Sequence, residues 1–545
     1  MTDFNTLTNE IIDYLLESSP VWATCAGVHD YDHQLDRFDH EYRQQRLAQL
    51  NTYLEQLHNF ESADGLSPDE ELDRKVLLGS LKADILTEED YRRWERDPSL
   101  PLDLALYGSF TLAFRDFAPR EKRFESLVGR LQAVPQLLSE AVTNLQNQKE
   151  VPTVWAEMAE ERTESAIVFF GETIPALAEG LPTLAGDLKK AAATAVTACH
   201  DYLTFLRDRL TTRSKGAYSL GPESFEKLLE SAHALSYSAA DLAAIGQQAI
   251  VETIAEMDRL AKKIDPDSDR LALIEKIKRD SFTDDALLEA YRREVAKLRR
   301  FVIERDLVTI PPDDDLPVME TPEFSQYTLP FAAYVPPAPF DRRQQALFWV
   351  TPVDQDAPPE IQQQQRQGHN KCTMRVIALH EAYPGHHLQF LHAGRIESRV
   401  RRLAKSPLFT EGWAFYCEEL LYEEGFYGDD ETRLMQLVNQ LVRACRVVID
   451  VGLHTGEMSF TDAVNMLVEQ ANMDRFNAIA EVKRYSQSPT QPMSYLIGKK
   501  ELLQLKAAYR EKKGDRFRLK EFHDRLLSFG TIPIRFVRDI MLEQN

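Results

Sequence analysis

The sequence predicts a mostly α-helical protein with one small β element. Through the first 305 residues, apolar side chains recur at three- and four-residue spacings, as at Leu127, Leu131, Val134 and Leu138. This spacing is typical of buried helix faces. Only 22 glycines interrupt a chain of 545 residues, which favours long, unbroken helices. The pattern changes near Thr309, and helical periodicity returns at about residue 360.

Prolines dominate the segment between these two helical parts. From Pro311 to Pro359 the chain contains eleven prolines, three consecutive aspartates at 313–315 and a β-prone run at 346–350. Because proline does not fit inside helices, the prolines argue against helix in this segment. The β-prone run between them predicts short strands. We therefore predict an N-terminal helical lobe at 1–305, a proline-rich connection at 306–359 and a second helical lobe at 360–545.

Composition and charge narrow the class of protein. With 43% hydrophobic and 28% charged residues, the chain can bury a substantial core. Its net charge of −23 argues against a nucleic-acid partner, whose phosphates it would repel. The N-terminus lacks a basic and apolar leader, and the five cysteines have no CxxC spacing. We expect a cytoplasmic protein with no membrane partner, and the oligomeric state stays open.

The most informative motif is His380-Glu381-Ala382-Tyr383-Pro384-Gly385-His386-His387. In an H-E-x-x-H helix, two histidines at i and i+4 bind one zinc, and the glutamate lies beside the metal-bound water. Here the i+4 residue is Pro384, which cannot be a ligand and must kink or open the helix. The motif indicates a modified metal site, and the alternative is a helix end with ordinary histidines.

The second ligand of such a site has to follow the break. Gly385 supplies the conformational freedom that lets His386 return to the position usually filled at i+4. In a straight helix His387 would stand about 10 Å from His380. That is too far for two nitrogens that each bind the same zinc at about 2 Å. We therefore predict His380 and His386 as ligands, Glu381 as the general base and His387 as a neighbour outside the ligand set.

A glutamate on a second helix can complete the site. Glu411 lies 31 residues after His380, in the run Thr410-Glu411-Gly412-Trp413. Thermolysin-like zinc hydrolases complete a His-His-Glu site in this way and keep the fourth position open. Glu418 is seven residues further on the same helix face and could accept a hydrogen bond from a ligand histidine. The alternative is an amphipathic helix with a solvated acidic face.

The two motifs together, H-E-x-x-P-G-H and E-G-W-A-x-Y-x-E, resemble a largely bacterial domain-of-unknown-function family within the gluzincin peptidase superfamily. Family members tend to carry Leu388-Gln389 and often an aromatic residue at the position of His387, which supports His386 as the ligand. The glutamate pair is also similar to that of the thimet oligopeptidase, angiotensin-converting enzyme and Taq carboxypeptidase groups. The resemblance implies a large two-lobed helical metallopeptidase body with a deep cleft, and it says little about substrate.

Two further groups of residues could take part in chemistry. Arg446, Asp450 and His454 recur every four residues and should line one helix face. Arg446 could anchor a carboxylate or backbone and His454 could donate to an oxyanion, but an Arg446–Asp450 ion pair would serve structure alone. Tyr495 could also donate to the oxyanion, or it could be a core residue. The related helical peptidases use such a tyrosine or histidine, which favours the catalytic role.

One strand could align the substrate. Gluzincins place an edge strand ahead of the H-E helix, and it pairs with the extended substrate. By that analogy, residues 345–351 are the candidate strand. The alternative is a proline-rich crossover without function.

The sequence therefore predicts a peptidase with one zinc ion held by His380, His386 and Glu411. Glu381 would act as the base, and Tyr495 and His454 would stabilise the oxyanion, with a peptide as substrate. One alternative is a zinc hydrolase of an ester or a non-peptide amide. Another is a helical protein that binds metal without turnover, whose site a fourth protein ligand would close. Manganese, cobalt or nickel could also use these ligands.

Overall fold

The computed structural model of the chain describes residues 3–60, 65–312, 314–322, 326, 329, 331–341 and 344–543. Asp313, the first of the three consecutive aspartates, lies outside the described residues. The described chain is mostly α-helical, and its one sheet precedes the helix that carries His380. The predicted mostly α fold class with a small β element is thereby confirmed.

The chain forms two compact units. The first comprises Met1–Ala232 together with Ala338–Arg343, and the second comprises His233–Pro337 together with Gln344–Asn545. The boundary between 232 and 233 falls at the end of a helix. Residue 305, where the sequence pattern suggested the end of the N-terminal lobe, lies within the second unit.

The first unit is built from helices around a core of aliphatic and aromatic side chains. Its helices are α1 (Phe4–Glu17), α2 (Pro20–Ala26), α3 (His40–His58), α4 (Pro68–Leu86), α5 (Arg93–Arg96), α6 (Leu100–Phe114), α7 (Arg120–Leu145), α8 (Thr153–Val168), α9 (Ile174–Ala176), α10 (Ala185–Phe205) and α11 (Pro222–His233). Short π-helical turns at Thr87–Tyr91, Phe169–Thr173 and Leu206–Leu210 and a 3₁₀ turn at Thr211–Arg213 continue the helices that precede them. On α7 the predicted face is buried: Leu127, Leu131, Val134 and Leu138 all belong to the core.

The second unit holds all the candidate site residues. Its helices are α12 (Ala239–Ile264), α13 (Arg270–Lys278), α14 (Leu287–Glu304), α15 (Pro359–Gly368), α16 (Lys371–Glu381), α17 (His386–Ala393), α18 (Arg399–Leu403), α19 (Pro407–Glu423), α20 (Asp430–Thr455), α21 (Phe460–Ala471), α22 (Arg475–Ser486), α23 (Ser494–Lys513), α24 (Leu519–Leu527) and α25 (Ile534–Glu543). Asp284–Ala286 and Gly514–Arg516 form 3₁₀ turns. Helices α16, α17, α19, α20 and α23 carry the candidate residues.

The sheet of the second unit has three strands among the described residues. They are β1 (Val318–Glu320), β2 (Ala332–Val335) and β3 (Leu347–Val350). Strand β3 lies in the middle, parallel to β1 and antiparallel to β2. In this part of the chain, β2 is therefore an edge strand, with one row of backbone groups directed away from β3.

Two glycines let α19 and α23 touch at the backbone. A Cβ atom built on Gly412 would lie 2.6 Å from the Gly498 Cα, and one built on Gly498 would lie 2.0 Å from the Leu408 carbonyl oxygen. Real Cβ atoms do not approach so closely, so only glycine fits at this crossing. The contact brings the turn of α19 that carries Glu411 beside the first turn of α23, which carries Tyr495.

Candidate metal centre

The first ligand helix, α16, ends directly after the His-Glu pair. Its start is capped by the Asn370 side chain, which accepts a hydrogen bond from the backbone N–H of Thr373. At its other end Ala382 leaves the helical conformation, with φ −108° and ψ −93°. The Tyr383–Pro384 peptide bond is cis. Proline thus ends the helix, as the sequence predicted, and leaves His380 in the last turn.

The turn after α16 folds back across the end of that helix. A Cβ atom on Gly385 would lie 2.0 Å from the carbonyl oxygen of His380, so this crossing requires glycine. A new helix, α17, begins at His386. As a result the His386 ring returns to the His380 ring, with ring centroids 4.7 Å apart and planes at 86°.

Glu411 on α19 closes the group of three predicted ligands. Its Oε2 atom lies 3.7 Å from His380 Nε2 and 3.5 Å from His386 Nε2. One ligand atom from each residue lies within 4.8 Å of the others. Trp413, two residues further on, donates from Nε1 to the Pro384 carbonyl at 2.8 Å and so ties the turn to the same helix. The structure thus brings together the three side chains that the sequence selected.

Glu418 fixes the orientation of the His380 ring. This glutamate is fully buried, and its Oε1 accepts a hydrogen bond from His380 Nδ1 at 2.9 Å. Arg443 donates to the same oxygen at 3.3 Å, and Gln436 lies 3.4 Å from Oε2. With Nδ1 engaged by Glu418, the Nε2 atom of His380 is the one directed at the group of ligand candidates. Metal-binding histidines are commonly oriented by a carboxylate in this way.

The electrostatics of the group favour a cation. Burial lowers the pKa of His380, but hydrogen bonds to Glu411 and Glu418 outweigh it and raise the pKa to about 9. Burial raises the pKa of Glu411, yet its contacts with His380 and His386 prevail and lower it. Carboxylates that attract a proton at this point also attract a divalent ion.

His387 is turned away from the ligand candidates. Its Nε2 donates to Asp314 Oδ1 at 2.8 Å, and both side chains are almost completely buried. Of the two adjacent histidines, His386 is the one whose Nε2 lies near Glu411. The structure thus places His386, and not His387, at the group of candidate ligands.

Glu381 contacts the sheet on β2. Its Oε2 accepts a hydrogen bond from the backbone N–H of Tyr334 at 3.2 Å. The prediction that residues 345–351 form the substrate-aligning edge strand is therefore wrong. The strand at 347–350 exists, but it is the central strand and both of its edges are already paired. Strand β2 offers the edge that faces the glutamate.

Tyr495 lies beside the ligand candidates. Its ring is nearly parallel to that of His380, with centroids 6.5 Å apart. The guanidinium carbons of Arg443 and Arg446 lie 5.3 Å and 4.9 Å from its ring centroid. Burial, and then the negative charge of Glu411, raise the pKa of Tyr495. The hydroxyl therefore keeps its proton at neutral pH and can act as a donor.

The three α20 residues do not act as the single group that their spacing suggested. Arg446 donates to Glu481 at 2.8 Å and to the Tyr485 hydroxyl at 2.6 Å, and no Arg446–Asp450 ion pair forms among the described residues. His454 Nε2 donates to the Tyr485 carbonyl at 3.0 Å in the buried interior. Asp450 and His454 stay close on their shared helix face, with His454 Nε2 3.8 Å from Asp450 Oδ1, whereas Arg446 is engaged by Glu481 and Tyr485 of α22. His454 contacts the Tyr485 backbone, and its role as an oxyanion donor stays a prediction, as does that of Tyr495.

Asp450 supports the segment that leads to Tyr495. Its carboxylate accepts hydrogen bonds from the backbone N–H groups of Thr490 and Met493, each at 3.1 Å. Burial raises the pKa of Asp450 to about 8, although these two bonds oppose the shift. The side chain therefore holds the turn before α23.

Sequence reasoning missed several residues of the site. Asp314 belongs to an aspartate run for which the sequence predicts no role, and Tyr334 falls outside the predicted edge strand at 345–351. Trp413 lies inside the Thr410–Trp413 run without a predicted role, and Arg443 lies one turn before Arg446 without one. A single sequence gives no direct signal for these roles, because the contacts join residues that are distant in the chain.

The fold and the site together define a mostly helical protein with a candidate divalent-metal centre. A family model described as a bacterial protein of unknown function, DUF885, matches residues 20–541, and the chain belongs to that family. No curated protein matches the sequence.

Two solved structures share the fold across almost the whole chain. A candidate lipoprotein of unknown function from Shewanella oneidensis is 24% identical with a TM-score of 0.84, and the match covers 99% of this chain and 100% of that one. A candidate lipoprotein from Colwellia psychrerythraea is 18% identical with a TM-score of 0.84, covering 99% and 98%. The predicted cytoplasmic location is contradicted by these lipoprotein descriptions and is wrong. Within the described residues, no helix has the length and apolar character that crossing a bilayer requires.

Proposed function

We propose that this protein is a zinc-dependent hydrolase of the gluzincin type that cleaves peptides. The observation that carries the proposal is the convergence of His380 Nε2, His386 Nε2 and a Glu411 oxygen at one point, with Glu381 next to the first ligand. Two imidazoles and one carboxylate are one of the ligand sets found in catalytic zinc sites, which keep a fourth position open.

The donor set fits a zinc ion. Each histidine presents Nε2 to the group, and the Nδ1 of His380 is already held by Glu418. Among the described residues, the group of possible metal ligands consists of these three, so a fourth protein ligand does not close it. When bound, zinc would supply Lewis acidity toward a carbonyl and lower the pKa of a water molecule.

The chain's own residues would manage the proton and the oxyanion. Glu381 would take the proton of the attacking water and pass it to the leaving amine. Tyr495, whose ring lies 6.5 Å from that of His380, would donate its hydroxyl proton in a hydrogen bond to the developing oxyanion. Arg443 and Arg446 beside the Tyr495 ring add positive potential on that side.

Strand β2 supplies the surface on which a peptide could lie. The Tyr334 N–H points from the edge of β2 to Glu381, so a peptide added along this edge would pass the proposed base. An extended peptide pairs with such an edge through its backbone, which gives affinity without strong sequence preference. This strand favours a peptide substrate over an ester.

The proposal is tested by metal removal. We expect the purified protein to carry about one zinc per chain and to cleave members of a mixed peptide library, as the proposed site requires. Chelation should abolish cleavage, and added zinc should restore it. Elemental mass spectrometry of the purified protein measures its metal content. The lengths of the peptide products distinguish endopeptidase from exopeptidase action. Protein without metal, or cleavage that survives full chelation, would contradict the proposal.

Replacing Tyr495 by Phe tests the oxyanion role. The substitution removes only a hydroxyl and keeps the ring beside Arg446, so we expect kcat to fall about a hundredfold with KM nearly unchanged. Metal content and the thermal midpoint should match the wild type. An unchanged kcat would return Tyr495 to a packing role.

A further inference from the structure

Asp314 lies outside the group of candidate ligands, yet it contacts both residues that flank the turn to His386. Its carboxylate is only 2% exposed. Its Oδ1 accepts hydrogen bonds from the Tyr383 hydroxyl and from His387 Nε2, the latter at 2.8 Å. Its Oδ2 accepts a hydrogen bond from Arg299 Nε at 2.6 Å. A single carboxylate oxygen thereby joins the residue before Pro384 to the residue after His386.

We call the Asp314 carboxylate, with its contacts to Tyr383 and His387, the clamp. It matters because the His386 ring has fewer hydrogen bonds to hold it than the His380 ring. The His380 ring is oriented by Glu418 through Nδ1, whereas the buried Nδ1 of His386 has no hydrogen-bond partner among the described residues. The direction of the His386 ring therefore depends on the backbone of its turn. That backbone is held from one side by Trp413 at the Pro384 carbonyl and from the other by Asp314.

The charge of Asp314 strengthens the clamp. Burial raises the pKa of this carboxyl, but hydrogen bonds from His387, Tyr383 and Arg299 prevail and lower it. Asp314 is thus a buried anion that accepts three hydrogen bonds. Hydrogen bonds to a charged group are shorter and stronger than those between neutral groups. An asparagine in its place would have one oxygen, no charge, and an NH₂ group directed at donors.

We propose that Asp314 is a positioning residue for His386, acting through Tyr383 and His387 to hold that histidine at the metal. The inference rests on the proposed function in one respect, namely that His386 is a metal ligand. It gives the aspartate of the proline-rich segment a role that corresponds to the role of Glu418 toward His380.

The test compares Asp314→Asn with Asp315→Asn in the full chain, using titration with Co²⁺ followed by visible absorption and competition with Zn²⁺. Asp315 is the adjacent, exposed aspartate and serves as the matched control. Loss of a residue that orients a ligand typically lowers metal affinity by about 10–100-fold. We expect a loss of that size in Asp314→Asn, with an altered cobalt spectrum, and wild-type behaviour in Asp315→Asn.

Tyr383→Phe provides a second, milder variant in case Asp314→Asn does not fold. It removes one donor to Asp314 and keeps the buried ring, so we expect the same spectral change with a smaller loss of affinity. A residue that only stabilised the fold would lower the thermal midpoint and leave the cobalt spectrum as it was.

The outcomes separate the two proposals. If the wild type binds cobalt and zinc, and folded Asp314→Asn or Tyr383→Phe binds them with wild-type affinity and spectrum, the clamp is overturned while the proposed function stands. If the wild type itself binds neither ion, the proposed function is overturned, and the role of Asp314 falls with it.

Discussion

Glu381→Gln is expected to keep its metal and to lose at least about a hundredfold in turnover. A positioned general base typically contributes about 10²–10⁴-fold, and glutamine has the shape of glutamate without its basicity. The side-chain oxygen can still accept the hydrogen bond from the Tyr334 N–H, which is 3.2 Å long in the structure. Steady-state rates on a cleaved peptide, with the metal content of the same sample, measure the effect.

The matched control for this variant is Glu397→Gln, because Glu397 is an exposed carboxylate of the same unit outside the site. It should retain wild-type turnover. Turnover in Glu381→Gln equal to that of the control would remove Glu381 from the proposed mechanism. Loss of the metal in Glu381→Gln would show that the residue acts in metal binding.

His386→Ala is expected to abolish stoichiometric metal binding, whereas His387→Ala keeps most of it. His386 Nε2 lies 3.5 Å from Glu411 Oε2, and its loss would leave two of the three protein ligands of a zinc site. His387 instead donates to Asp314 at 2.8 Å. Its removal takes away one of three hydrogen bonds to the clamp, so we expect a weaker but complete site. Metal content after dialysis measures both variants.

These adjacent histidines control for each other, since both substitutions remove a buried imidazole from the first turn of α17. Thermal midpoints of the two variants show whether the fold is retained. Metal lost from His387→Ala and kept by His386→Ala would mean that the wrong histidine was selected.

Much of the metal centre could be predicted from local rules. Proline at 384 excludes a continuous helix because it lacks an N–H and clashes with the carbonyl of residue 380. The spacing of Glu411 and Glu418 fixes both on one face of α19. Such statements depend only on neighbours in the chain, and the structure brings His380, His386, Glu411 and Glu418 together accordingly.

Other features could not be predicted, because they depend on which segments meet. Residues 347–350 do form a strand, but its place in the middle of the sheet follows from pairing with two distant segments. An ion pair with Arg446 was one alternative for Asp450, and the structure turns its carboxylate to the amides of Thr490 and Met493. A four-residue spacing gives the helix face and does not identify what packs against that face.

The sequence by itself determined the helical class of this protein, the break after Glu381 and the choice of ligand candidates, because helix periodicity and proline chemistry act within a few residues. Only the tertiary structure decided that β2 presents its edge to Glu381, that Gly412 meets Gly498, and that Asp314 closes the turn to His386. Those contacts join segments separated by tens of residues. Their geometry is set by the packing of helices and strands against one another. Patterns among neighbouring residues do not predict which distant segments pack together.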